Sequence, residues 1–285
     1  MQYFPRIINS LITSGILILF LTNCTAQPTD SSNTEIESVV EINTVGQIPP
    51  PSGFYRLPLD SLHVGSFLRN LSLKEDNQVY LYDGSLKYNQ SAQYAIIDID
   101  VGNRDLQQCA DATMRLRAEH LFQTGQFDKI QFHFTSGHLA QWLKYAEGYR
   151  AKISGSSVTW VKLANKDTSH ANFRKYMNLV FSYCGTQSMN GEVEPVRIED
   201  IAPGHVFHQT GNPYGHAVTV MDVVTDTTGN KRFLLSQSYM PAQSIHVLKN
   251  PTNSASSPWY SIKPGEPLVT PEWTFPSGSL KRWKN

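Results

Sequence analysis

Residues 203–224, PGHVFHQTGNPYGHAVTVMDVV, constrain the fold more than any other stretch of the chain. Pro203-Gly204 is a turn signal that launches a short apolar run, Val206-Phe207. A polar loop with three breakers follows, Gly211, Pro213 and Gly215. His216 then opens Ala217-Val218-Thr219-Val220-Met221, which is β-branched and apolar enough to be a buried strand. Asp226-Thr227-Thr228-Gly229-Asn230 is a hairpin loop, and 232–238 return as the partner strand. A glycine before His216 lets another backbone or a substrate come close, and the mouth of a core strand is well placed for proton transfer. The simpler reading of a lone histidine there is a cap on the strand end.

The segments upstream are mostly helical. Residues 105–122, DLQQCADATMRLRAEHLF, form the clearest predicted helix, with Leu106, Ala110, Met114 and Leu121 on a broad apolar face and Gly125 as its stop. Further helices are predicted over 62–71, 137–149 and 170–184, and strands over 79–82, 94–101, 129–134, 158–163 and 245–248. A tail rich in Pro and Trp follows, with Trp259, Trp273 and Trp283 suited to pinning an extended segment across the body. Helices in the middle and an antiparallel hairpin in the last third predict an α+β domain spanning 51–285.

With 24 basic and 24 acidic residues in 285, the chain gives no electrostatic reason to expect nucleic acid as a partner. No motif for a cofactor or metal is evident. His205, His208 and His216 are spaced by three and eight, which fits no zinc pattern. The first residues carry Arg6 and then a mostly apolar run, Ile7 to Leu21, too short for a membrane span. Leu21 stands three residues before Cys24, a pattern that resembles the lipobox of bacterial lipoproteins. That resemblance implies a signal peptide over 1–23, lipidation at Cys24 and a partner membrane. The alternative is ordinary secretory cleavage near Ala26. Residues 24–50 are rich in Ser, Thr, Asn and Glu and read as a disordered tether.

Two cysteines remain. Cys109 falls near the start of the predicted helix. A start near Gln107 would place its sulfur in the field of unpaired amides, which favours the thiolate; a start at Asp105 would weaken the effect. A buried structural cysteine is an equal alternative. Cys184, at a helix end, reads as structural, and a Cys109–Cys184 disulfide stays open. His216 is the candidate base. Its orienting partner should come from the returning strand, where Gln237 or Ser238 is in reach, and Gln237 has a carbonyl acceptor for the ring N–H. Asp222, six residues along the same strand, lies roughly 20 Å from His216. Asp98 with Asp100 is a weaker candidate pair, and Arg115 and Arg117 are weaker candidates for binding an acidic substrate.

Cysteine at a helix start, a Pro-Gly strand, a Gly-His strand and a polar residue on the next strand resemble the papain-like amidases and peptidases of the NlpC type. The matching positions are Cys109, Pro203-Gly204, His216 and Gln237. This resemblance implies a nucleophile-bearing helix packed on an antiparallel sheet, with Cys109 as nucleophile, His216 as base and Gln237 as orienter. Over nearly the whole mature chain, QQCADATMRLRAEHLF, PGHVF, GHAVTVMDVV, FLLSQSYMPAQSIHVLKNP and TPEWTF resemble the domain of unknown function 4846 of bacterial lipoproteins. The expectation is an exported, lipid-anchored cysteine hydrolase of amide or peptide bonds at the cell envelope, with peptidoglycan peptides as the natural substrate class. A non-catalytic binding lipoprotein is the alternative.

Overall fold

His216–Thr225 forms a ten-residue strand that is buried over its first seven residues on both faces. That burial follows from a side-chain period of two with apolar residues at nearly every position. Val218 and Val220 face one apolar cluster, while Ala217 and Met221 face others on the opposite side. The computed structural model describes residues 41–284. The predicted leader, Cys24 and most of the predicted tether lie outside the described residues.

Every strand pairing is antiparallel. The main sheet runs, edge to edge, through Gln93–Ile96, His246–Leu248, Lys231–Gln237, His216–Thr225, Val206–Gln209, Leu280–Trp283 and Val193–Pro195. Tyr55–Arg56 adds to the far end of the long strand. The predicted hairpin pairs Lys231 with Thr225 and Ser236 with Thr219, with one irregularity at Leu234/Leu235. The chain is therefore α+β with a mainly antiparallel sheet, as its pattern predicts. Helices Cys109–Gln123 and His170–Tyr183 cover one face through Met114, Leu121, Phe173 and Val180. The tail covers the other, where Tyr260, Leu268 and Phe275 meet Phe207, Phe233 and Leu235.

Three local expectations change. The first helix of the site starts at Cys109, four residues later than the pattern suggests. Residues 105–108 are held elsewhere: the Asp105 carboxylate accepts from the Ala242 amide at 2.7 Å and from Gln108 Nε2 at 3.0 Å, and the Gln107 carbonyl accepts from Ser238 Oγ at 2.9 Å. The helix predicted over 137–149 is instead a strand, Leu139–Gln141, paired with Gln131–His133 and followed by the short helix Trp142–Ala146. Gly137, at φ 83°, makes the turn that allows this hairpin. The ordered body also begins before residue 51. Val45 and Ile48 are wholly buried, and the Pro49 carbonyl accepts from Trp259 Nε1 at 2.7 Å. Composition places these residues in the tether; they pack against Leu68, Met221 and Trp259, the last more than two hundred residues away in sequence.

No helix among the described residues is long and apolar enough to cross a membrane.

Candidate active site

Main-chain geometry brings Cys109 to the start of the His216 strand. The sulfur lies 4.0 Å from the Gly215 carbonyl oxygen, and the Ala217 amide points at it. In an extended strand the carbonyl of residue 215 and the amide of residue 217 face the same side. That side is opposite the one on which His216 pairs with Gln209. Ser238 holds the residue two before Cys109 from the other flank. The helix start is thus wedged between the beginning of the His216 strand and the end of the Gln237 strand. Cys109 is the first helical residue, so its own amide and that of Ala110 belong to the unpaired amides of the first turn.

Gly215 is required by the close packing of this strand start on Gln209 and Thr186. A Cβ there would press on the Gln209 carbonyl and come within 2.7 Å of Thr186 Oγ1. Gly215→Ala is expected to lower stability by about 1–3 kcal/mol, the usual penalty for overpacking. Urea denaturation checks this; an unchanged midpoint would show that the loop relaxes freely.

His216 and Gln237 are hydrogen bonded, with Nε2 and Oε1 at 3.0 Å. The orientation of the amide is not free. Gln237 Nε2 donates to Glu272 Oε2 at 2.7 Å and approaches His246 Nε2 at 3.4 Å. A flipped amide would aim its carbonyl at the Glu272 carboxylate. Hence Oε1 faces His216, His216 donates from Nε2, and the free lone pair falls on Nδ1. Glu272 is itself anchored by Lys87 and by Asn89 Nδ2 at 3.1 Å. Burial works against its charge, but Lys87 and Asn89 outweigh it and hold the carboxyl below the usual range. His246 Nδ1 lies 2.9 Å from the Ser244 carbonyl and donates to it, leaving Nε2 to accept.

The imidazole of His216 is enclosed by aromatic rings. Tyr239, Trp273 and Phe275 have centroids 5.0, 5.1 and 5.6 Å away. His216 and Gln237 are each 1% exposed, and Cys109 is 6% exposed. A groove of about 450 Å³ reaches the cysteine past Leu106, Gln108, Tyr214 and Met240. The site is approached from the sulfur side, while the ring is walled by the tail.

Burial also corrects the expectation of an activated thiol. It pushes the Cys109 thiol up to about 11, with the Asp111 carboxyl adding to the rise, although the amides of Ala217, Ala110 and Cys109 itself favour the thiolate. The helix start does supply the predicted field, but desolvation outweighs it. Burial holds His216 down at about 4 in spite of Gln237 and Glu272. Between these values Cys109 is a neutral thiol and His216 a neutral imidazole. Alkylation of Cys109 by iodoacetamide is therefore expected to accelerate about tenfold per pH unit from 7 towards 10. A rate already level above pH 5 would reveal a thiolate–imidazolium pair instead.

Of the other candidates, Cys184 is free, as is Cys109, so the two are not bridged. Ser238 binds main-chain carbonyls and not His216. Asp100 faces Arg174 at 2.9 Å and Arg115 at 3.3 Å, so it does not act with Asp98 as a carboxylate pair. His208 is spent on the Thr186 carbonyl and Lys281. Among the described residues no three His, Cys, Asp or Glu side chains are grouped to hold a metal. Sequence reasoning missed Glu272, Lys87, His246 and the aromatic wall. Glu272 and Trp273 sit inside TPEWTF, and Tyr239 inside SQSYM, but no spacing within the chain tied these segments to His216.

A family model described as "Domain of unknown function (4846)" matches residues 45–282. The chain belongs to this family. No curated protein and no solved structure matches it. The family match spans Cys109, His216, Gln237 and Glu272 together, so all parts of the candidate site fall within one family domain.

Proposed function

We propose that the chain is a cysteine hydrolase of amide or peptide bonds, built on a papain-like arrangement in which the Cys109 helix meets the His216 strand. The observation that carries this reading is the hydrogen-bonded chain His216, Gln237, Glu272, which sets the His216 tautomer, on a strand whose start at Gly215 and Ala217 faces the Cys109 sulfur. In the reaction His216 Nδ1 takes the thiol proton as the sulfur attacks the carbonyl carbon. The amides of Cys109 and Ala110 are placed to stabilise the oxyanion. His216 then returns the proton to the leaving amine, and water hydrolyses the thioester. Gln237 holds the ring and stabilises its transient charge.

Location narrows the substrate. If residues 1–23 are a lipoprotein leader, Cys24 carries the lipid, the partner membrane belongs to a bacterial envelope, and cross-linking peptides of peptidoglycan are the nearest amides. Expression in a bacterial host with an alkyne-tagged palmitate should label the wild-type chain and not Cys24→Ala. Equal labelling of both would remove the anchor from this reading.

The hydrolase is tested by incubating the purified protein with a muropeptide mixture and following cleavage by mass spectrometry. New amine and carboxylate termini from wild type, absent with His216→Ala, support it. The low exposure of His216 favours a second reading, a binding protein that retains the arrangement without turnover. Muropeptides bound but uncleaved would select that reading.

A further inference from the structure

A second groove, of about 410 Å³, runs between the later turns of the Cys109 helix and the Pro203-Gly204 turn. It shares no lining residue with the groove at Cys109. Every titratable residue lining it is basic: His63, Arg117, His120, Lys129, His205 and Arg282. In a chain of balanced charge this is an uneven distribution. Leu116, Leu121 and Trp283 give it an apolar wall.

Several donors there have no acceptor. Thr219 Oγ1, on the central strand, is buried without a hydrogen-bond partner. Arg117 spends one N–H on the Lys284 carbonyl, and its guanidinium lies 5.1 Å over the Trp283 ring. It has no carboxylate within salt-bridge reach among the described residues; the nearest acid acting on it, Glu192, is bound to His133 at 2.6 Å. His63 Nδ1 accepts from the Gly65 amide at 2.9 Å and His205 Nδ1 from the Ala202 amide at 3.2 Å. Both acceptances leave the ring proton on Nε2, a donor without a partner among the described residues. His120 is occupied by the Leu62 carbonyl, and Arg282 by Glu194. The Asp200 carboxylate that faces His205 is held by Arg197.

We propose that this groove binds a small soluble organic anion, a carboxylate or phosphate monoester carrying a short apolar body. The head group takes N–H donors from Arg117, His63 and His205 and the hydroxyl of Thr219. The apolar part lies against Leu116, Leu121 and Trp283. Arg117 is half-buried and has no carboxylate partner among the described residues, so an anion can take its remaining N–H donors in charge-assisted hydrogen bonds. The volume suits a short-chain ligand, in keeping with the usual size of small-molecule sites.

Calorimetric titration of the full chain with hexyl phosphate, hexanoate and hexanol tests this. Saturable binding of either anion is expected, with hexanol at least about tenfold weaker. Arg117→Gln should weaken the anion by about tenfold, and Thr219→Val, which keeps the side-chain shape, by several-fold. Circular dichroism confirms that both variants are folded. Equal binding of hexanol, no binding of either anion, or unchanged affinity in both folded variants overturns the proposal. So does co-sedimentation with phosphatidylglycerol vesicles in the absence of hexyl phosphate binding, which would assign the basic groove to a membrane surface. Cysteine alkylation is read separately at Cys109, so failure here leaves the hydrolase reading untouched.

Discussion

Cys109→Ala is expected to abolish cleavage of any amide substrate, a loss of at least about 10³-fold in kcat/KM. It is also expected to remove labelling by a thiol-directed electrophile at the site. The substitution deletes one sulfur from a position that is already nearly enclosed, and the helix start is held by other contacts. Gln107, Asp105 and Gln108 are fixed by Ser238, Ala242 and Asp111 without the thiol. The variant should therefore fold, at a cost of about 1 kcal/mol for the lost packing. Intact-mass analysis after electrophile treatment, alongside a thermal melt, reads both. Retained turnover in the folded variant would move the nucleophile elsewhere, and Cys184 is the sulfur left to ask. Gln237→Ala should act on the same reaction more mildly, because it frees the imidazole without removing the attacking atom.

Asp222→Ala should have the largest effect on stability. Asp222 is wholly buried on the long strand, and its two oxygens accept from Arg69 Nε at 2.7 Å and Arg56 Nε at 2.6 Å. Arg56 also donates to the Ile48 carbonyl, and Arg69 to that of Leu57. One carboxylate thus ties residues 48–69 to the sheet. Removing it leaves two partly buried guanidiniums without a counter-charge, which costs about 3–5 kcal/mol. The fall should appear as a lower urea midpoint with release of the N-terminal segment to proteolysis near residue 57. A change below about 1 kcal/mol would show that water replaces the carboxylate at no penalty.

Asp222 also shows where reading along the chain stopped. Distance along a straight strand excludes it from the proposed catalytic group, and in the structure its oxygens go to Arg56 and Arg69. The spacing argument said nothing of what a buried carboxylate in a core strand must find. Its partners come from residues more than 150 positions upstream, and no local pattern ties them to it. Gln237 is only partly legible: folding the hairpin about Thr228 puts His216 near 238–242, with Gln237 or Ser238 in reach only by a shift of register. The observed register pairs Ser236 with Thr219 after an irregularity at Leu234/Leu235, and the Gln237 side chain reaches His216 along the strand. Glu272 was not legible by that route. It reaches Gln237 from a tail with no periodic pattern, through a side-chain contact that nothing in the local sequence requires.

The sequence alone determined the elements: the buried strand behind Gly215 and His216, the hairpin that follows, the helix that carries Cys109, and the antiparallel α+β class. These are local consequences of side-chain period, turn residues and chain stiffness. Tertiary structure alone decided the electrostatics. The positive field at a helix start is a local property and was foreseen; the desolvation that overrides it at Cys109 depends on how many distant atoms exclude water. The same holds for the Arg117 groove. Its donors come from residues scattered between positions 63 and 219, and only the folded chain gathers them along one groove with no carboxylate among its lining residues.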